Sequence, residues 1–524
     1  MKGTVLFGGT QMVSIVANVL RGKMVAILLC AGGLGISSLY MNTLMPLQQF
    51  FAMGMPIAVV SAIAAMQTDD AEGRRKVNAQ ITAFRRSLFV LAMLGAAFMV
   101  GTAPLLSEMS FGNYDNTTAY MLLAIALVFL IMESGETAVL QSRRQMKQVA
   151  MRNVVNALAS LFVGVPLYWW LGVGGIVPAI ILSTMTVWTY SRLQTRRLHR
   201  GQADAEAADQ ASDAANQTSD AANQASDAAV MSSRQSWRET WRLSRGIISL
   251  GFFMMIAALL GNITNYFINN TIRYFGTIDD VGLYSASTSI TSQYVGLVFA
   301  AMATDYYPRL AATIGSIGEV RRLIRQQLEL VLLIVAPLVA ILIVTAPLLI
   351  RILLTEQFLP LTGVVRLTGL AIICKAACFP LDYVSMAYGN KRYFFWMEGV
   401  WCNLKTFVFI VVGYKFWGIM GIGWATLASG LVDVIVTTIM TRWVFGISAW
   451  RLQLRLFVPL MMGGGACAAL SFCESPWLSW GGMVLCALAL SGVCLWLLAR
   501  RINLSEWIKN RKAQKKIKVD SINS

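Results

Sequence analysis

VLLIVAPLVAILIVTAPLLI, residues 331–350, is a run of twenty residues that contains no charged side chain. A run of this length and composition predicts one helix that crosses the hydrocarbon core of a membrane. Comparable runs recur along the 524-residue chain, which is 56% hydrophobic and has a mean hydropathy of +0.61. Only 13% of the residues are charged, about half of the usual share in a soluble domain. This composition predicts an all-α polytopic membrane protein and excludes a disordered chain, a collagen and a secreted disulfide scaffold.

The apolar runs predict about fourteen transmembrane helices. Their approximate limits are 8–31, 38–66, 86–107, 118–141, 153–171, 172–191, 246–268, 281–305, 327–350, 361–388, 394–414, 417–441, 455–473 and 478–499. With both termini in the cytoplasm, 35 of the 43 basic residues fall on the cytoplasmic side and three fall outside. This split follows the positive-inside rule. The net charge of +17 therefore reports orientation, and nucleic acid is not expected as a partner.

A polar segment interrupts the apolar runs after the sixth one. Residues 201–230 are rich in Ala, Asp and Gln, and a seven-residue repeat occupies 210–230. Because that repeat lacks the large apolar residues of a coiled coil, we expect a solvated linker. A faint repeat also relates the two halves at a spacing of 244, as between Tyr40 and Tyr284. The predicted organisation is an N-terminal lobe 1–193, a cytoplasmic linker 194–245, a C-terminal lobe 246–444, two extra helices in 445–499 and a basic cytoplasmic tail 500–524.

The predicted spans lack the side chains of most enzyme chemistry. The only histidine, His199, lies in the linker, so a histidine triad or a multi-histidine metal site in the membrane is excluded. The eight cysteines lie within or at the ends of spans without the spacing of a zinc site, and no P-loop motif occurs. We therefore expect no enzyme activity and no bound metal or organic cofactor.

The first span carries a polar stripe. Gln11, Ser14, Asn18 and Arg21 are three or four residues apart, so they share one face of a helix. Because ionisable residues in apolar spans usually face a wet cavity, we expect Arg21 to bind an anion beside Asn18 and Gln11. The alternative is a polar seam between packed helices. Lys23 lies about 200° around the helix from Arg21 and is not expected on this face.

Other ionisable residues lie deep in later spans. Lys375 and Lys405 are further candidates for binding an anion, and Asp382 and Glu398 lie seven residues from them on the same helical faces. The alternative is that these lysines form buried ion pairs with residues on other helices.

Three carboxylates are candidates for binding a coupling ion, either H+ or Na+. Glu133 and Glu136 lie one turn apart in the fourth span, and Asp433 lies in the twelfth. The alternative for Glu136 is a position near the cytoplasmic end of its span.

Amides and hydroxyls form further stripes in the second half of the chain. Asn262 and Asn265 share a face of the seventh span, and Gln293 continues a serine stripe in the eighth. Neutral hydrogen-bonding side chains suit sugar hydroxyls. The alternative is hydrogen bonding between helices.

Two segments carry a family resemblance. GTVLFGGTQMVSIVANVLRGKMVAILLCAGGLGISSLY, residues 3–40, resembles the start of bacterial polysaccharide (O-antigen-type) flippases. VGLYSASTSITSQYVGLVFAAMATDYYPRL, residues 281–310, resembles a later segment of the same proteins. These flippases belong to the multidrug/oligosaccharidyl-lipid/polysaccharide exporter superfamily. The resemblance implies two six-helix lobes around a central cavity, followed by two C-terminal helices.

The resemblance also implies a function. It implies ion-coupled alternating access that moves undecaprenyl-pyrophosphate-linked oligosaccharide across the bacterial inner membrane for surface polysaccharide such as the O-antigen of lipopolysaccharide. Arg21 matches an arginine that related flippases use at the pyrophosphate. Membrane lipids, a polysaccharide polymerase and glycosyltransferases are the implied partners. The alternatives are a multidrug exporter of the same superfamily, which favours acidic cavities, and a polysaccharide polymerase or ligase, which requires a large periplasmic loop.

Overall fold

A computed structural model describes residues 2–64, 71–143, 145–214, 256, 258–471 and 475–502. Every regular element in these residues is helical, which confirms the predicted all-α class. Most of the seven-residue repeat and the basic tail after 502 lie outside the described residues.

Fourteen helices longer than four residues follow one another along the described chain. They are α1 Lys2–Ala52, α2 Met55–Ala64, α3 Ala71–Phe111, α4 Thr117–Ser142, α5 Met146–Phe162, α6 Gly164–Leu171, α7 Ile176–Ala214, α8 258–275, α9 Ile278–Ala312, α10 Ile317–Leu353, α11 Thr362–Ala387, α12 Cys402–Phe445, α13 Trp450–Leu470 and α14 Pro476–Ile502. Two 3-10 helices, Gly172–Gly175 and Glu356–Leu361, and a π-helix, Phe395–Trp401, connect some of them. The helix α7 extends to Ala214, so the predicted linker begins as a helix.

Nine helical stretches among the described residues are long and apolar enough to cross a membrane. Three of these stretches contain a residue with a non-helical backbone: Val16–Ala52, Lys147–Leu198 and Arg392–Phe445. Each of the three overlaps two of the predicted spans. The structure is thus an all-α membrane protein with nine or more candidate spans, and the count of fourteen stays a prediction.

The break inside α12 is a tight helical hairpin at Gly418. Gly418 has φ 58° and ψ −145°, which glycine adopts without the steric cost of a Cβ. A Cβ on Gly421 would lie 1.9 Å from the carbonyl oxygen of Gly413. The two arms of the hairpin therefore approach backbone to backbone, and only small residues fit between them near the turn.

The break between α6 and α7 repeats this geometry. Gly172 has φ 56° and ψ −132°, and a Cβ on Gly175 would lie 2.3 Å from the carbonyl oxygen of Leu167. Gly172 and Gly418 are 246 positions apart, close to the spacing of 244 at which the sequence predicts a repeat. The two hairpins thus have the same type of glycine turn, and their separation agrees with the predicted repeat between the two halves of the chain.

The break inside α1 differs in its residue. Cys30 has φ 55° and ψ −164°, a region in which a side chain costs about 1–3 kcal/mol. It follows that the chain tolerates strain where the first two predicted spans meet.

The chain forms two compact units. The first comprises 1–282 with 353–355, and the second comprises 283–352 with 356–524. In the first unit α4 packs against α3 and α7, with Tyr120 and Leu127 fully buried. In the second unit α11 is the central helix, because it is the most buried candidate span and packs against α12 and α13. The predicted lobe boundaries stay predictions.

Candidate functional site: charged groups in the membrane spans

Five ionisable side chains gather on α11, α12 and the π-helix of the second unit. They are Lys375, Asp382, Glu398, Lys405 and Asp433. The seven-residue spacing places Lys375 and Asp382 on one face of α11. The π-helix holds Glu398, and the hairpin of α12 carries Lys405 on one arm and Asp433 on the other. We call these five residues the charged cluster.

Lys405 and Asp433 form a salt bridge across the α12 hairpin. The lysine side chain is 3% exposed and the aspartate side chain is 27% exposed. The ammonium also donates a hydrogen bond of 3.1 Å to the carbonyl oxygen of Ser429. The two residues meet because they lie at similar distances on either side of Gly418. A direct role for Lys405 at a pyrophosphate stays a prediction, but its charge is compensated in this structure, as the ion-pair alternative anticipated.

The other two carboxylates of the charged cluster lie within electrostatic range of the ion pair. Asp382 interacts with Lys375, Lys405, Glu398 and Asp433. No basic side chain within the described residues comes within salt-bridge distance of either Asp382 or Glu398. Three carboxylates therefore share two lysines. The π-helix at Glu398 is a further sign of a functional position, since such segments occur frequently at functional sites.

Lys375 is the exposed member of the charged cluster. It is exposed on a helix whose neighbouring residues are buried, and its ammonium lies 5.9 Å from the ring centroid of Phe299. A cation at this distance from a ring face is attracted by the ring quadrupole. Lys375 is therefore accessible, and its role in binding an anion stays a prediction.

The first span presents part of its polar stripe at the surface of the first unit. Asn18 is exposed and Arg21 is half-buried, whereas Ser14 is buried. Among the described residues, no acidic side chain forms a salt bridge with Arg21. The side chain of Gln11 lies outside the described residues. An accessible guanidinium that no carboxylate neutralises is suited to binding an anion.

The two glutamates of α4 have separate arginine partners. Glu136 is 1% exposed and accepts bonds of 2.6 Å from Arg85 and 2.7 Å from Arg192. Thr195 donates a third bond of 2.7 Å to the same carboxylate.

Glu133 pairs instead with Arg152 and accepts a bond of 2.8 Å from Thr137. These contacts tie α4 to α3, α5 and α7, so both carboxylates are charge-compensated. The role of Glu133 and Glu136 in ion coupling stays a prediction. Both carboxylates pair with arginines, so neither is free to bind a coupling ion in this structure.

The predicted amide stripe is only partly accessible. Asn262 is half-buried and Asn265 is exposed, so both are candidates for binding sugar hydroxyls. Asn269, one turn further, is buried and accepts a hydrogen bond of 3.4 Å from Ser38. This contact matches the alternative of hydrogen bonding between helices. The side chain of Gln293 lies outside the described residues.

Sequence reasoning did not identify the arginines that bind Glu133 and Glu136. Arg85, Arg152 and Arg192 are among the 35 basic residues that the predicted topology places on the cytoplasmic side, where they indicate orientation. These arginines lie at the ends of predicted spans, and the fourth span carries two glutamates. That combination is the signal from which arginine–glutamate pairs could be predicted. Asp382 and Glu398 were noted only as neighbours of the lysines.

Comparisons with known proteins agree with this picture of the fold. Residues 218–363 match a protein family described as "Polysaccharide biosynthesis protein". A search of curated protein sequences gives no match.

Solved structures match over most of the chain. A lipid II flippase MurJ in an inward closed conformation matches with a TM-score of 0.66 at 9% identity, over 95% of this chain and 99% of that one. An inward-facing multidrug resistance MATE family transporter matches with a TM-score of 0.62 at 13% identity, over 83% of this chain and 96% of that one. A MOP superfamily transporter from Pyrococcus furiosus, described as having a binding pocket of reverse polarity, matches with a TM-score of 0.54 at 13% identity. The match covers 83% of this chain and 94% of that one. The fold of this chain is thus similar to the fold of these transporters.

Proposed function

We propose that this chain, which has the fold of the multidrug/oligosaccharidyl-lipid/polysaccharide exporter superfamily and a segment matching the polysaccharide biosynthesis family, is a lipid-linked oligosaccharide flippase. Its substrate is an undecaprenyl-pyrophosphate-linked oligosaccharide of surface polysaccharide synthesis. It acts in the bacterial inner membrane with fourteen spans and both termini in the cytoplasm. The observation that carries the proposal is Arg21, an accessible cation in the first span with no salt bridge to any described acidic residue.

The distribution of charge in the first unit favours an anionic substrate. The two glutamates of α4 are bound by arginines, so neither offers a free negative charge to a cationic drug. Arg21 is available, and Asn18 beside it supplies hydrogen bonds. A pyrophosphate accepts paired hydrogen bonds from a guanidinium fork, which a cationic drug does not. This charge pattern supports a pyrophosphate-bearing lipid over the multidrug alternative.

In the second unit, Lys375 is a further candidate for binding an anion. Lys375 is exposed in its span and belongs to the charged cluster. An anion bound to Lys375 therefore also interacts electrostatically with the neighbouring carboxylates.

In the first unit, the exposed Asn265 and the half-buried Asn262 offer amides for sugar hydroxyls. The pyrophosphate is thus assigned to the cations and the glycan to the amides.

The charged cluster is the proposed site of ion coupling. Its three carboxylates and two lysines leave one negative charge uncompensated in an apolar span, which is costly. Uptake of one proton or one Na+ removes that charge. The proton is the coupling ion that a pH gradient tests directly. We therefore assign coupling to Asp382, Glu398 and Asp433 rather than to Glu133 and Glu136.

Surface polysaccharide in cells tests this function with a matched pair of variants. Arg21→Ala removes the proposed pyrophosphate contact, and Lys23→Ala removes an equal charge from the opposite side of the same helix. We expect Arg21→Ala to abolish surface polysaccharide and Lys23→Ala to retain it, at equal levels of membrane-inserted protein. Equal polysaccharide in both variants contradicts the site assignment, and drug efflux without any effect on polysaccharide supports the multidrug alternative.

A further inference from the structure

An apolar groove runs along the α12 hairpin. It has a volume of about 670 Å³ and is lined entirely by apolar residues. Val408, Val412 and Trp417 come from the first arm, and Trp424 and Ala428 come from the second. The groove lies in a candidate membrane span. The two valines and two tryptophans that line it are each more than one third exposed. Hydrocarbon is the medium that covers such a surface in a membrane.

The length of the groove matches one leaflet. Val408 and Trp417 are nine residues apart on one helical arm, which corresponds to about 14 Å of rise. The hydrocarbon of one leaflet is about 15 Å thick. Because Trp417 adjoins the hairpin turn at Gly418, the groove spans only the half of the membrane next to that turn. A single acyl chain fits this length, whereas a long polyprenyl tail does not fit within it.

A cation lies close to the end of the groove at the hairpin turn, two residues before Trp417. Lys415 is exposed and follows Val408 and Val412 at helical spacings of seven and three residues, so all three share one face of the arm. Lys415 is also one of three basic residues that the predicted topology puts outside. A lysine at the membrane surface attracts the phosphate of an anionic lipid.

The end of the groove away from the hairpin turn adjoins the charged cluster. Val408 lies three residues from Lys405, and Ala428 precedes Ser429, whose carbonyl accepts the lysine ammonium. A chain that fills the groove therefore ends about one helical turn from the Lys405–Asp433 salt bridge and shields it from water.

From these contacts we infer that the groove is a binding site for one anionic phospholipid of the outer leaflet. One acyl chain occupies the groove, and the phosphate pairs with Lys415. The occupant is a structural lipid of the α12 hairpin, not the transported substrate. Binding of this lipid is independent of whether the protein transports an oligosaccharide.

Native mass spectrometry of the detergent-solubilised full chain tests the site with phosphatidylglycerol, phosphatidylethanolamine and undecaprenyl phosphate as separate probes. We expect one phosphatidylglycerol per chain, and we expect Lys415→Gln to reduce the preference over phosphatidylethanolamine by about fivefold, which is the effect of one basic residue at an anionic surface. Ala428→Phe, which fills the groove, is expected to remove the bound phospholipid. Ile435→Phe on an exposed position of the same arm is the control and is expected to retain it.

Two outcomes overturn the inference. Equal phosphatidylglycerol binding by the wild type, Lys415→Gln and Ala428→Phe places the lipid elsewhere. The second outcome is that an equimolar amount of undecaprenyl phosphate displaces phosphatidylglycerol from the wild type and does not bind to Ala428→Phe. That result assigns the groove to the substrate tail instead. Because Lys415 is exposed near the hairpin turn, its variant keeps the test valid if Ala428→Phe fails to fold.

Discussion

Buried acidic residues occur in both units, and their surroundings differ. In the first unit, Glu136 is held between Arg85 and Arg192, so more positive than negative charge surrounds it. In the second unit, the carboxylates of the charged cluster outnumber the lysines. Removing a carboxylate that pairs with buried cations leaves those cations without a counter-charge, whereas an uncompensated carboxylate in an apolar span attracts a cation. The same residue type thus serves structure in one unit and, in our proposal, coupling in the other.

The largest expected effect is on stability in the first unit. Replacing Glu136 by Gln leaves Arg85 and Arg192 without their buried counter-charge, and breaking a buried pair in this way costs about 3–5 kcal/mol. We expect a large loss of thermal stability in detergent. The control is Glu108→Gln, because Glu108 is exposed and bonds only to Tyr114 among the described residues. Equal melting temperatures for both variants contradict a structural role for Glu136.

A second prediction separates stability from transport at the Lys405–Asp433 pair. Lys405→Met alone is expected to destabilise the protein by about 3–5 kcal/mol, since it leaves Asp433 without its partner. The double variant Lys405→Met/Asp433→Leu is expected to recover most of that stability, because apolar replacement of a buried pair is often neutral. Thermal unfolding measures the recovery. Transport by a stable double variant at the wild-type rate contradicts a coupling role for the pair.

A third prediction concerns the carboxylates without a salt bridge. Asp382→Asn and Glu398→Gln are expected to leave the protein at least as stable as the wild type, since each removes a negative charge that no described salt bridge compensates. Each is nevertheless expected to weaken the dependence of transport on a pH gradient. The measurement is the ratio of transport rates with and without the gradient. A wild-type ratio in both variants assigns coupling to other residues.

The smallest expected effect compares the helical turns. Cys30→Gly is expected to stabilise the protein by about 1 kcal/mol, because glycine adopts the backbone of Cys30 without strain. Gly418→Cys is expected to destabilise it for the same reason. Opposite shifts in melting temperature support the comparison. A loss of stability in Cys30→Gly shows that the cysteine side chain contributes more than the strain costs.

The sequence predicts the fold class well because membrane spans are encoded locally. Apolar length identifies helices, and the turn glycines Gly172 and Gly418 are the first residue of the sixth predicted span and the second residue of the twelfth. The sequence allows a buried ion pair at Lys405 but does not identify Asp433 as its partner. Their pairing depends on the hairpin turn at Gly418, which brings residues 28 positions apart to one level. Local periodicity on a single helix does not contain that information.

The arginine partners of Glu136 were harder still to predict. Arg85 and Arg192 lie 51 and 56 residues away on other helices, so the contacts depend on how three helices pack. The positive-inside rule explains why arginines occur at these positions but does not distinguish a solvated arginine from a paired one. The separate roles of the two groups of acids therefore become visible only in the folded chain.

Leaflet transfer in proteoliposomes tests the central claim most directly. The probe is a fluorescent undecaprenyl-pyrophosphate-linked oligosaccharide, and its transfer is followed with and without a pH gradient. We expect wild-type protein to accelerate transfer over empty vesicles and Arg21→Ala to slow it by at least about tenfold, because a hydrogen bond to a charged group is worth about 1.5–3 kcal/mol. Transfer by the wild type no faster than in empty vesicles, or equal rates for the wild type and Arg21→Ala, would contradict the account.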